Sequence, residues 1–160
     1  YSLFYLEFIE GKKAGGQGTW LKLCDSHAWK SWSGYAFENI CLKHIMQIKM
    51  ALGIQGVYSE SSSFYFAGNE DRAGLQVDLL IDRKDHVINF CEIKFYDGPY
   101  SLGKDEAMNL RQRMTTFREV SGTRKQIALT LITAFGLQHN AHSLGLVQQD
   151  ISMEPLFVAG

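Results

Sequence analysis

Two apolar runs, Leu75–Arg83 and Val87–Phe95, flank a polar break at Lys84, Asp85 and His86. Both are rich in β-branched, aliphatic and aromatic residues, and the pattern predicts two antiparallel strands joined as a hairpin. With a three-residue loop, Arg83 pairs with Val87. Counting back on strict alternation puts Asp78 opposite Glu92 and Gln76 opposite Lys94 on one face. Val77 then faces Ile93, and Leu79 faces Cys91, on the other. Leu80 and Phe90 continue the first face as core.

Elsewhere the pattern gives a mixed series of elements. Residues 1–9 form an aromatic, strand-like run, and the four glycines from Gly11 to Gly18 make a loop. Trp20, Trp29 and Trp32 lie in a poorly periodic stretch that either caps the core or offers a stacking surface for bases. Phe37, Ile40, Cys41, His44, Ile45, Ile48 and Leu52 recur at helical spacing, predicting a helix over Gly34–Leu52 that Gly53 ends. A strand is expected over Val57–Phe66 and a polar turn over Ala67–Gly74. Tyr96–Gly103 reads as a loop and Lys104–Val120 as a second helix, stopped by Gly122. Gln126–Ala134 is nearly continuous apolar. Strand, helix, strand then implies a parallel crossover buried on both faces. Leu146–Phe157 gives short edge strands limited by Pro155. The class is α/β: three layers, α/β/α, with an αβββαβ core and a late edge strand. Residues 34–160 form one domain, and 1–33 read as an extension from a preceding one. Because Tyr1 falls inside an aromatic run, the chain reads as a piece of a longer polypeptide.

Composition adds constraints. Sixteen basic and 17 acidic residues leave a formal charge of −1, so any phosphate-binding surface must be local. No run reaches membrane-spanning length. Three scattered cysteines, Cys24, Cys41 and Cys91, argue against a disulfide framework and for a cytoplasmic setting. Their spacings to His27 and His44, and that of His139 to His142, share no framework for zinc.

The candidate chemistry lies in the hairpin. Two carboxylates side by side repel, and each is costly to bury alone. A divalent cation resolves that conflict, and few hard oxygen donors with open positions suit Mg²⁺ or Mn²⁺. The Lys94 ammonium can then orient water or offset charge on a phosphorane-like transition state. On these grounds Asp78→Asn and Glu92→Gln are both expected to leave metal-free stability unchanged or improved. Glu38, on the flank of the first helix, is either a first-turn acid favoured by the helix dipole or a third carboxylate of the site. Lys104, Arg111 and Arg113 on the second helix are either solvated or offered to phosphates.

The element order, with Asp on the second strand and Glu-x-Lys on the third, resembles the PD-(D/E)XK, or restriction endonuclease-like, nuclease superfamily. Glu38, Asp78, Glu92 and Lys94 match its motif, although Val77 stands where the naming proline would be. The phrases W-x-x-W-S-G-Y-A-F-E-N-I-C, Q-V-D-L-L-I-D-R, C-E-I-K-F and T-L-I-T-A-F-G-L resemble the C-terminal nuclease-like domain of prokaryotic AAA-type ATPases. The resemblance implies Mg²⁺-dependent cleavage of DNA. Asp78, Glu92 and the Ile93 carbonyl would be metal ligands, Glu38 would act through water, and Lys94 would position the attacking water. It also implies a P-loop ATPase domain ahead of this one. The alternative is a catalytically inactive module of the same fold that binds nucleic acid or regulates its ATPase. Either is compatible with a homodimer.

Overall fold

A computed structural model describes residues 27–157. The expected strand over 1–9, the glycine-rich loop, Trp20 and Cys24 lie outside those residues.

The first helix, α1 (His27–Lys43), is followed after a one-residue break by α2 (Ile45–Ala51). Ser33, Phe37 and Cys41, four residues apart, are buried along α1. The expected single helix breaks at His44, whose ring Nδ1 lies 2.7 Å from the Ile40 carbonyl. That carbonyl would ordinarily accept from the His44 backbone N–H, which turns instead to Cys41 O at 3.0 Å. Because α1 runs unbroken across residues 33 and 34, the domain boundary expected there falls inside a helix.

Three strands follow: β1 (Ser59–Phe66), β2 (Leu75–Arg83) and β3 (Val87–Lys94). The Lys84–His86 loop has the expected length, and His86 takes the left-handed conformation, φ 65°. β4 (Tyr100–Ser101) precedes α3 (Lys104–Ser121), and then come β5 (Gln126–Thr133), β6 (Leu137–Gln138) and β7 (Val147–Ile151). Gly122 caps α3 at φ 65°. Glu154–Phe157, expected as strand, is a short 3-10 turn around Pro155.

The main sheet has the order β1-β2-β3-β5-β7. β1, β2 and β3 are antiparallel neighbours, whereas β3, β5 and β7 run parallel. The expected crossover through α3 is present. β4 and β6 form a separate two-stranded parallel pair, in stretches too short to carry a periodic signal. One face of the sheet packs Leu80, Ile88, Phe90, Leu129 and Leu131 against Ala107, Leu110 and Phe117 of α3. The other packs Leu79, Ile81, Cys91 and Ile132 against Phe37, Cys41 and Ile48 of α1 and α2. The result is a three-layer α/β/α arrangement. Among the described residues, no helix is long and apolar enough to cross a membrane.

Candidate functional site

The hairpin register is Leu79 with Cys91, Leu80 with Phe90 and Asp82 with Ile88, as the three-residue loop requires. Strict alternation fails one step further on. Against β1, Leu80 pairs with Ser62 but Val77 pairs with Phe64. Asp78 and Leu79 therefore stand opposite a single residue, which is a β-bulge. Its effect shows in the packing: Val77 and Leu80 belong to the α3 face, whereas Leu79 and Ile81 belong to the α1 face. The expected pairing of Val77 with Ile93 is therefore wrong, since Ile93 packs on the α1 face. The predicted shared face for Asp78 and Glu92 rested on the same alternation, and the bulge falls at Asp78 itself.

Glu92 is buried, 8% exposed. Its Oε2 accepts from Arg113 Nη1 of α3 at 2.7 Å, and its Oε1 lies 3.2 Å from the Lys94 ammonium. The Arg113 fork also donates through Nη2 to the Gln76 carbonyl at 2.8 Å, and its guanidinium lies over the Phe90 ring. Arg113 thus ties the beginning of β2 to the end of β3. Lys94 is 3.5 Å from Glu106 Oε1, and Glu106 Oε2 accepts the Tyr100 hydroxyl. Two cations and two carboxylates cancel within this network.

Asp78 has different neighbours. Its Oδ1 accepts from the Gln76 side-chain amide at 2.9 Å. Gln76 was expected across from Lys94; its side chain serves Asp78 and its carbonyl serves Arg113. Glu38 projects from α1 toward the same corner, and its pKa is raised, first by burial and then by the Asp78 charge. Glu38, Ile93 and Lys94 line one open cleft with Tyr35 and Phe95. Because α1 begins at His27, Glu38 lies well past its first turn, so the first-turn dipole reading does not apply. Asp78 and Glu38 are like charges brought together, and no ion pair compensates either among the described residues.

Glu38 provides a stability test. Its folded pKa lies above the ordinary 4.5, so folding favours its protonated form. The associated stability is present below 4.5 and is lost as pH rises through the raised value. Glu38→Gln should therefore be more stable than wild type at pH 7 and lose that advantage on acidification. Urea titrations at pH 7 and below pH 4.5 check this; a loss of stability at pH 7 would contradict it.

The donor types at this corner are those a hard divalent cation takes. Asp78, Glu38 and the Ile93 carbonyl are oxygen donors near excess negative charge. Glu92 has each of its two oxygens engaged by a cation, Arg113 or Lys94. As arranged, no three His, Cys, Asp or Glu side chains gather to hold a metal among the described residues. Burial pushes the Cys41 thiol up to about 12 and raises that of Cys91 as well, so neither supplies a thiolate.

Of the α3 cations, Arg111 and Lys104 are exposed, whereas Arg113 is committed to Glu92. Arg113 is therefore not simply solvated, and in this arrangement its guanidinium is engaged by Glu92 rather than open to a phosphate: a buried carboxylate draws the nearest fork donor. Sequence reasoning missed Glu106 and Tyr100. The available signal was the seven-residue spacing of Glu106 and Arg113, two turns apart on one helix face.

The sequence matches no protein-family profile and no curated protein. A crystal structure of a protein of unknown function, AF1548, is similar at a TM-score of 0.48 and 16% identity, covering 73% of this chain. The match spans 64% of that protein's chain.

Proposed function

We propose that this chain is a PD-(D/E)XK nuclease-like domain that hydrolyses DNA phosphodiester bonds with Mg²⁺ or Mn²⁺. We place it as the C-terminal part of a larger protein with a P-loop ATPase domain. The observation that carries the reading is the Asp78–Glu38 corner. Asp78, at the bulge of β2, raises the pKa of Glu38 on α1, no cation pairs with either among the described residues, and Glu38 lines the same cleft as Lys94. The order αβββαβ, with Glu-x-Lys closing β3, supports it.

Asp78 and the Ile93 carbonyl would hold the cation directly, Glu38 would hold it through water, and Glu92 would join on release from Arg113. The cation supplies positive charge against the phosphoryl oxygens and acidifies water. Lys94 orients the attacking water and offsets charge developing on the phosphate. Arg111 and Lys104 contact the backbone on either side of the cut. Arg113, once released, adds a fork donor for a phosphate oxygen.

One observation favours a second reading. Both Glu92 oxygens are engaged by cations, as in a structural ion-pair network. The domain would then bind nucleic acid or regulate its ATPase without cutting.

Single-stranded, duplex and branched DNA incubated with Mg²⁺ or Mn²⁺ separates the two. Cleavage by wild type, lost in Lys94→Ala, is the expected result. DNA binding without cleavage in both proteins would establish the second reading.

A further inference from the structure

The ammonium of a strand-end lysine on a four-carbon stem sweeps a wide volume unless something fixes it. Lys94 is fixed from two sides. Glu92 Oε1 is 3.2 Å away along its own strand, and Glu106 Oε1 is 3.5 Å away on the first turn of α3. An ion pair this exposed contributes little by itself. Glu106, however, is not free to wander, because its other oxygen accepts the hydroxyl of Tyr100. Tyr100 is buried, 8% exposed, and its backbone N–H is bonded to Gly136 O at 2.9 Å, immediately before the strand it pairs with in the small β4–β6 pair. A buried hydroxyl needs a partner, and among the described residues Glu106 is the one this hydroxyl bonds.

The geometry points to Glu106, anchored by Tyr100, as the positioning residue that holds the Lys94 ammonium at the wall of the cleft. The catalytic meaning of this inference rests on the hydrolytic reading above; the positioning itself does not. The β4–β6 pair thereby acquires a role: it fixes the far end of the chain Tyr100–Glu106–Lys94. Burial, and then the bond to Glu106, raise the Tyr100 hydroxyl well above the usual tyrosine range. The proton therefore stays on the phenol, and Tyr100 acts as a donor.

The test reads the ammonium directly. In protein labelled with ¹⁵Nζ-lysine, proton–nitrogen correlation spectra should show a Lys94 ammonium protected from water exchange, identified by its loss in Lys94→Arg. Glu106→Gln should move or broaden that signal. Tyr100→Phe, which removes only the hydroxyl, should shift it in the same direction by less. Glu119→Gln, on a surface pair with Arg72, is the control and should leave it unchanged. If wild type cuts DNA, Tyr100→Phe should lower kcat about tenfold with KM unchanged, as when the outer partner of a site residue is removed. An unaltered Lys94 signal in both Glu106→Gln and Tyr100→Phe would overturn the inference. If wild type does not cut DNA while the signal moves as described, the hydrolytic reading fails and the positioning stands.

Discussion

Arg113→Gln is expected to destabilise the metal-free protein by about 2–3 kcal/mol. Breaking a buried ion pair from one side typically costs about 3–5 kcal/mol, because the remaining charge is stranded. The lower figure applies because Arg113 retains 24% side-chain exposure and Lys94 still faces Glu92. Arg113→Lys should not restore the loss. A single ammonium cannot reproduce the fork that bonds Glu92 at 2.7 Å and the Gln76 carbonyl at 2.8 Å together. Divalent metal should reduce the deficit, since Glu92 then has another cation available. Urea unfolding of the three proteins, with and without Mn²⁺, checks this. Equal stabilities in metal-free buffer would contradict it.

Asp78→Asn should behave oppositely. It removes a charge that raises the pKa of Glu38 and that no cation compensates among the described residues, and Asn can still accept from the Gln76 amide. Metal-free stability should hold or rise. Metal affinity should fall by more than the roughly 10–100-fold typical of losing a ligand's outer partner, because Asp78 is proposed as a direct donor. Cleavage should vanish with it. Opposite signs for Asp78→Asn and Arg113→Gln in metal-free buffer would distinguish an uncompensated acidic corner from a general polar network. Glu92→Gln also departs from its sequence expectation. With two cations on Glu92, its loss should cost stability, because repulsion from Asp78 is not what governs it.

The elements of the fold were legible because their signals are local. β2 and β3 end where Arg83 and Val87 were expected to bound the turn, and Gly122 stops α3 through its positive φ. The parallel crossover followed from two buried strands separated by one helix. The break at His44 was not legible, because it depends on a ring nitrogen taking a carbonyl that helical periodicity assigns to the backbone. The bulge was hidden for a related reason: alternation assumes one residue per step, and nothing in Val77-Asp78-Leu79 signals an extra one. The site residues were found by type, but their partners were not. Arg113 looked like any cation on a solvated helix face. Only the packing of α3 across β3 brings it to Glu92.

Direct Mn²⁺ binding tests most plainly the proposed uptake of a divalent cation by the Asp78–Glu38 corner. Wild-type protein titrated with Mn²⁺ and followed by the electron paramagnetic resonance of the free ion should show one saturable site. Asp78→Asn should show none, and Arg113→Gln should bind more tightly than wild type because Glu92 is no longer held by the guanidinium. Wild-type protein that leaves the free-ion signal undiminished, or Asp78→Asn that binds as wild type does, would contradict the account.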